Sequence, residues 1–378
     1  MIYVICFGLS ALFAWFASKT KKRTFFVFFS VISILLPVTL AGLRDYSIGI
    51  DTSNYMDLEQ FWYGAAKRST LEAYMKYYDS KNLGEPLFAL ILGLVEHYTG
   101  NFTVFLLVAH GIIITGIYIG VFRLRHHANP ALMLLLFYLL YFNYSLNALR
   151  QYMAMAIIFA VFADIEQGKY LRFAVVVIIA RFIHLSALLA FGAILIHWVL
   201  YGRFSRVIPS LIPSLRIRRL FVVFVLLFLV FVFPGLCKLL VDKGILPSKY
   251  GFYLDPDKTQ YNALSVLLLL VEMLVLFVFR KQIKNTSECY NLYLITSISY
   301  LLLMQLSGSV AFGKRIAAYY SLANVVTIAI IPKSFKIRTN RIVVTILVVA
   351  VAFCYWWYTY ILRNGSQTYP YISVFGSM

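Results

Sequence analysis

Long apolar runs, broken at intervals by short polar or basic stretches, dominate the chain. The runs fall at about 2–18, 24–43, 101–122, 131–146, 149–165, 170–183, 185–201, 219–240, 262–280, 290–307, 310–331 and 341–361. A helix that crosses the roughly 30 Å hydrocarbon core needs about 20 residues at 1.5 Å each. The pattern therefore predicts an all-α, polytopic transmembrane helical bundle of about 12 spans. Several runs fall short of 20 residues, which is tolerated where helix ends are buried in protein. A further run, 85–98, reads EPLFALILGLVEHY. As a full crossing it would put Arg123, Arg125, His126 and His127 outside and invert every later span. At 14 residues it suits a re-entrant or interfacial helix entering from the outer face.

Two segments between runs are long enough to carry structure of their own. Segment 44–84 is acidic and aromatic, with helix-like spacing in Tyr55, Leu58, Phe61, Trp62 and in Tyr74, Tyr77, Tyr78. That spacing predicts an amphipathic helix lying at the interface. Segment 241–261, with Pro247, Pro256, Tyr250, Tyr253 and Tyr261, reads as a second outer loop. No fixed-period repeat divides the chain, so 1–378 is expected to be a single transmembrane domain.

Composition agrees: 62% of residues are hydrophobic, 13% are charged, and mean hydropathy is +0.82. A soluble domain carries about a quarter charged residues, so lipid must cover much of this surface. The net charge of +19 comes from 34 Lys and Arg against 15 Asp and Glu. Such an excess raises the question of nucleic acid, but the cations stand in short blocks between apolar runs. Examples are Lys19 to Arg23, Arg216 to Arg219 and Lys333 to Arg341. Membrane proteins keep such blocks on the cytoplasmic side, and no compact basic module is present to hold a duplex. The first block follows the first apolar run, which makes that run an anchor with its N-terminus outside. Both termini then lie outside. Eight of the 15 acids fall between Asp45 and Glu96, on the outer side in this topology. Cys6, Cys237, Cys289 and Cys354 are solitary and lack metal-ligand or redox spacing.

Ionisable groups at the outer helix ends are the informative chemistry. Arg44 ends the second run, Arg150 opens the fifth, Arg181 and His184 stand at the turn between the sixth and seventh, and Arg315 lies in the first turns of the eleventh. A cation placed deep in the bilayer costs roughly 2–3 kcal/mol on insertion scales. Snorkelling to lipid phosphate accounts for one such residue. Four on four separate helices point instead to a site for a phosphate-bearing anion, which guanidinium grips with a bidentate fork. An outward-facing phosphate reached from lipid suggests a polyprenyl-linked substrate. After Arg44, the stretch Asp45 to Tyr55 turns at Gly49 and offers Asp51 as a base, a sugar ligand or a helix N-cap. In Glu85-Pro86, proline suits a first helical turn and the acid favours its dipole. His184, between Arg181 and Ser186, carries an imidazole, the side chain suited to proton transfer near neutral pH, and is a candidate base or hydrogen-bond donor. His97, His110, His126, His127 and His197 read as structural or interfacial. Glu272, an isolated acid in mid-run, reads either as the partner of a neighbouring group or as a proton-coupled site. No Walker loop, dinucleotide fingerprint, HExxH or Cys/His cluster occurs, and Asp255-Pro256-Asp257 is a weak metal site, so no metal or other cofactor is expected.

At these residues the sequence resembles the EpsG/Wzy family of bacterial polysaccharide polymerases. The likeness lies in Arg44 with Gly49-x-Asp51 and Tyr55, in Glu85-Pro86, in Asn147-x-x-Arg150-Gln151, in His184-x-Ser186-Ala187, and in Arg315-Ile316 with Tyr319. These occur in the family's order over about residues 1–330, and Tyr369-Pro370-Tyr371 in the tail adds little. The resemblance implies a GT-C-like glycosyltransferase in the bacterial inner membrane with its site outside. It would pass a glycan from polyprenyl diphosphate to the non-reducing end of another lipid-linked unit, without a nucleotide sugar, metal or other cofactor. On that likeness Arg150, Arg181 and Arg315 hold the diphosphate, and His184 or Asp51 orients or deprotonates the acceptor. Tyr55 and Tyr319 line the sugar path, and Arg44, Glu85, Asn147, Gln151 and Ser186 complete the substrate-binding set. The implied partners are the lipid-linked donor and acceptor, the bilayer and a separate chain-length regulator, with no nucleic acid. An O-antigen ligase would share the donor but carry its large outer loop late in the chain. A flippase would show inverted repeats and charges along a through-path. A membrane O-acyltransferase would need its donor site on the cytoplasmic face, opposite His184.

Overall fold

The computed structural model describes residues 1–56, 63–80, 84–201, 214–244, 263–285, 287, 289–308, 310 and 313–377. Each of the twelve apolar runs is mainly helical over its described residues, with turns at 161–162, 182–183 and 232, and among these residues the one sheet is a two-stranded ribbon near the C-terminus. By length and composition five helices suffice to cross a bilayer: Ile2–Lys19, Arg23–Gly42, Phe102–Arg123, Gly313–Lys333 and Arg338–Leu362. Leu215–Phe231 and Pro234–Asp242, bent by 42°, make a sixth candidate. The chain is thus an all-α, multi-pass membrane protein. Leu58, Phe61 and Trp62, residues 202–213 and nearly all of segment 241–261 lie outside the described residues.

The contacts divide the chain into two compact units. The first comprises Met1–Ala163, Leu171–Leu188 and Ile337–Met378. Its frame is α1 (Ile2–Lys19), α2 (Arg23–Gly42), α7 (Phe102–Arg123), α8 (Pro130–Phe137) and α10 (Leu149–Ala160). A π-helical turn, Tyr138–Phe142, joins α8 to the short α9 (Asn143–Ser145). With lipid outside and no aqueous hydrophobic effect between helices, association relies on close backbone approach and interhelical hydrogen bonds. Both are present. Ser10 donates to the Ser33 carbonyl at 2.6 Å and meets the Tyr138 hydroxyl at 2.8 Å, while Tyr118 donates to Ser30 at 2.6 Å. Gly116 and Gly120, four residues apart on α7, let α10 in so closely that a Cβ at Gly116 would stand 2.6 Å from the Ala156 carbonyl oxygen. That contact fixes α10, and α10 carries Arg150 at its first turn.

One end of this unit is covered by the 44–84 segment, which forms α3 (Ile50–Met56), α4 (Tyr63–Lys67) and α5 (Leu71–Ser80). The Tyr74/Tyr78 stripe of α5 faces protein: both side chains are buried, and Tyr74 packs on Gly93 of α6 (Pro86–Thr99). At 14 residues, α6 is about 21 Å long. Phe88 near its start meets Phe105 of α7 with ring centroids 5.7 Å apart, and Gly100 just past its end leads straight into α7. Both ends of α6 therefore sit by the opening turns of α7, across that end of the bundle. Gly100, at φ 60°, ends α6, and Asn101 caps α7 by accepting from the Thr103 N–H at 2.9 Å.

The last helix of the unit, α20 (Arg338–Trp356), continues through a π-helical turn, Trp357–Leu362, into a tail that folds back over the same end. The Asp45 N–H donates to Ile372 at 2.8 Å and the Val374 N–H to Leu43 at 2.9 Å. Between them the strands β1 (Ile372–Ser373) and β2 (Gly376–Ser377) form the ribbon.

The second unit comprises Asp164–Tyr170 and Leu189–Lys336. Its centre is α18 (Tyr290–Met304), packed against α13 (Phe191–Tyr201), α14 (Leu215–Phe231), α16 (Ala263–Val278) and α19 (Gly313–Lys333). The short α11 (Ala163–Glu166) brings the Glu166 carboxylate to the Tyr293 hydroxyl, and Tyr170 meets His197 Nδ1 at 2.9 Å. The remaining helices are α12 (Tyr170–Arg181), which rejoins the first unit, α15 (Phe233–Asp242) and α17 (Arg280–Lys284).

Candidate active site

Glu85 is the hub of a charged cluster in the first unit. As the residue before α6 it was a natural cap, yet its side chain makes no cap hydrogen bond. Its carboxylate is shared instead among three groups. Arg150, from the first turn of α10, places Nη1 on Oε2. His184, in the turn after α12, places Nδ1 2.6 Å from Oε1, and the Leu185 N–H donates to that same oxygen at 3.2 Å. Proline at the first helical position of α6 fixes the chain direction there. The Leu87 N–H, an orphan donor of the first helical turn, goes to the Phe182 carbonyl at 2.9 Å. Arg181 donates to the Gly84 carbonyl at 3.4 Å. The Arg181–Leu185 turn and the start of α6 are therefore tied by main-chain and side-chain bonds together.

Arg150 is held from both sides. Its Nε donates to the Tyr55 hydroxyl at 3.1 Å, and its guanidinium lies 5.6 Å from the Tyr55 ring and 5.7 Å from the Phe88 ring. Arg181 stacks on Phe182 at 5.0 Å and is only partly buried. The electrostatics are coherent. Burial opposes ionisation of Glu85, but the His184 hydrogen bond, the Arg150 charge and the Leu185 N–H outweigh it and hold the carboxyl below its ordinary range. Beside it, burial and the Glu85 charge push the Tyr78 phenol up to about 12.

Arg44 is fully buried, at 0% exposure, and its guanidinium is committed to protein acceptors. It donates to the carbonyls of Ala41, Ile48 (3.4 Å) and Leu146 (3.1 Å) and to Thr52 Oγ1 (3.4 Å), and it lies 3.5 Å from His110. It ties the end of α2, the Gly49 turn and the 146–147 turn into one piece. Burial lowers its pKa to about 10, so the charge is retained at neutral pH. Asp51 stands in the first turn of α3, where a carboxylate complements the helix dipole. Gly49 adopts φ 97°, and a Cβ there would meet Asn147 Oδ1 at 2.7 Å. Asn147 and Gln151 are buried, and Ser186 lies in the 3₁₀ turn Leu185–Ala190.

Of the residues singled out from the sequence, the structure thus joins Tyr55, Glu85, Arg150, Arg181 and His184 into one cluster, with Arg44, Asn147 and Asp51 in the neighbouring turns. Arg315 and Tyr319 stand in the second unit, in the first two turns of α19.

Two contributors were missed. Tyr78 reads in the sequence as part of an interfacial stripe. The tail adds little to the likeness in sequence, yet it supplies main-chain acceptors to the motif turns. Asn147 Nδ2 donates to the Ser366 carbonyl at 3.0 Å, and the Gly49 N–H donates to the Gln367 carbonyl at 3.0 Å. Thr368 is gripped by Asn143 (2.9 Å) and by Tyr3, whose hydroxyl donates to its carbonyl at 2.8 Å. To make these bonds Asn364, Ser366 and Gln367 take φ of 46°, 67° and 49°, a region costly for residues other than glycine. The Asn364-Gly365 pair, a turn signal, was the one hint available in the sequence.

A family model described as the EpsG family matches residues 3–373. No curated protein and no solved structure matches the chain.

Proposed function

The chain belongs to the EpsG family, whose members are polysaccharide polymerases of glycosyltransferase type, and from that premise we propose that it transfers a glycan from a polyprenyl diphosphate to the non-reducing end of another lipid-linked repeat unit, with His184 as the general base. The observation that carries this reading is the Glu85–His184 pair. With Nδ1–H donating to a carboxylate, the imidazole is fixed in the tautomer whose Nε2 lone pair is free to accept a proton. Asp51, the other candidate base, stands in the first turn of α3, where its charge complements the helix dipole.

In the proposed step the acceptor hydroxyl gives its proton to His184 Nε2 while its oxygen bonds to the anomeric carbon of the donor. The anomeric C–O bond breaks, and its electron pair leaves with the polyprenyl diphosphate. Glu85 stabilises the imidazolium that forms, as a buried carboxylate does in other His-based sites. Arg181 meets the charge growing on the diphosphate. Arg150, already paired with Glu85, contributes a smaller field there and holds Glu85 and Tyr55 in place. Arg315 and Tyr319 stay in the donor-binding set on the family resemblance, as does chemistry without a metal. Arg44 acts as a positioning residue for the Gly49 and Asn147 turns.

The proposal carries the topology of twelve crossings, a GT-C-like arrangement and an outer-face site in the inner membrane. Its support is that Tyr3, Leu40, the Gly49 turn, Asn143, Asn147 and the tail all gather at one end of the first unit. The basic turn Lys19 to Arg23 lies at the far ends of α1 and α2.

The test uses purified protein with its native lipid-linked repeat unit, following products on gels for wild type, His184→Ala and Arg181→Ala. A product ladder from wild type, lost in His184→Ala and slowed in Arg181→Ala, is expected. Lipid translocation in proteoliposomes without any ladder would overturn the enzyme reading in favour of a flippase. A ladder from His184→Ala at the wild-type rate would remove His184 as the base.

A further inference from the structure

The second unit contains a polar cluster that the transfer reaction does not use. Glu272 sits in the middle of α16, a helix whose other faces expose Leu267, Leu270, Val271, Leu274 and Phe277. The Glu272 side chain points the other way. It is buried against the midpoints of α18 and α19, where Ser297, Asn324 and Thr327 are likewise buried. Asn324 Nδ2 donates to Oε2 at 2.6 Å. The second oxygen, Oε1, is fully buried and has no hydrogen-bond partner among the described residues. Of the neighbouring hydroxyls, Ser297 faces both the Glu272 carboxylate and Asn324 Oδ1, the latter at 2.6 Å, and Thr327 donates to the Ala323 carbonyl at 3.2 Å. Ser297 Oγ and Thr327 Oγ1 lie 3.1 Å apart, and both present lone pairs.

A carboxylate with one bare oxygen amid oxygen acceptors cannot stay anionic at mid-membrane depth without a counter-charge, because desolvation costs several kcal/mol per ion. The described contacts supply no cationic side chain. The polar groups facing Glu272 are Ser297 from α18 and Asn324 and Thr327 from α19. The next titratable group along the contact of α16 with α18 is Tyr290, whose hydroxyl is committed to the Leu276 carbonyl at 3.2 Å. A hard, small cation suits a set of oxygen donors with one charge. We propose that Glu272, Ser297, Asn324 and Thr327 form an intramembrane site that exchanges a small monovalent cation, either a proton or a sodium ion, with Glu272 Oε1 as its anionic ligand. The site is independent of the transfer chemistry assigned to His184.

The test is labelling of the purified protein by an apolar carbodiimide, which couples to protonated carboxyls, with the adduct at Glu272 read by mass spectrometry. Thermal stability is measured in parallel for wild type and Glu272→Gln, with choline holding ionic strength constant. If the cation is a proton, Glu272 labelling falls as pH rises and sodium has no effect. If it is sodium, added sodium at fixed pH suppresses the labelling, and it raises the melting temperature of wild type but not of Glu272→Gln. Labelling that is the same at every pH and sodium concentration would show a permanently neutral structural hydrogen bond and overturn the site. No labelling, with wild type and Glu272→Gln equally indifferent to pH and sodium, would overturn it as well.

Discussion

Replacing Glu85 by glutamine keeps the shape of the side chain and removes its charge. In the native protein the carboxylate accepts from Arg150 Nη1, His184 Nδ1 and the Leu185 N–H, and its side chain is only 5% exposed. An amide has one accepting oxygen and an NH₂ that must face donors. If the NH₂ faces Arg150, a cation loses its partner. If it faces His184, it favours the tautomer with Nε2 protonated, which cannot act as a base. Breaking a fully buried pair costs about 3–5 kcal/mol. The Arg150 and His184 side chains retain 24% and 15% exposure, so solvent recovers part of that, and a loss of roughly 2–3 kcal/mol is expected. The rate should fall by about 10²–10⁴, the range for a misplaced or mis-tautomerised base. The assay is kcat and KM from the product ladder, with unfolding followed by denaturant. A fall confined to kcat marks the base, whereas a rise confined to KM marks uniform binding. The pH dependence has a definite sign. Because the Glu85 carboxyl is held below its ordinary value of 4.5, its stabilisation is present above that pH. It is lost as pH falls below 4.5 through the lowered value. Glu85→Gln should lack this acid-side loss. A folded Glu85→Gln enzyme within about threefold of the wild-type kcat would refute the tautomer argument.

Gly116→Ala places a methyl 2.6 Å from the Ala156 carbonyl oxygen, a main-chain atom. It should cost about 1–3 kcal/mol by forcing α7 from α10, seen as a lower unfolding midpoint. Gly49→Ala imposes φ 97° on a residue with a Cβ and crowds Asn147 Oδ1 at 2.7 Å. A loss of about 1–3 kcal/mol is expected, together with reduced kcat, because the turn carries α3 and Tyr55. Truncation after Arg363 removes the Ser366 and Gln367 carbonyls that hold Asn147 and Gly49. Helix content by circular dichroism should persist while the ladder shrinks by roughly tenfold or more. Unchanged activity would show that the tail merely covers the site.

The sequence by itself determined the class of solvent and the segments that become helices. Runs of about 20 apolar residues leave the backbone no partner in lipid except itself, so they must be helical wherever they sit. It also drew attention to Arg44, Arg150, Arg181, His184 and Arg315, because a charge at the end of an apolar helix is out of place and visible without coordinates. What it could not supply was which acceptor each donor would find. Glu85 reads as an acid favouring the dipole of its own helix, yet its partners lie 65 and 99 residues away on α10 and after α12. Arg44 looks like Arg181 in one dimension, but folding surrounds the first with carbonyls and leaves the second partly exposed. The Tyr74/Tyr78 stripe has the same period whether it meets lipid or Gly93, and only the packing of α5 on α6 chose between them. The tail shows the limit most sharply. Its role rests on main-chain carbonyls at Ser366 and Gln367, and a carbonyl carries no side-chain identity for a sequence to display. Periodicity and charge are local properties of the chain, whereas hydrogen-bond partners are set by long-range closure, which the tertiary structure alone decides.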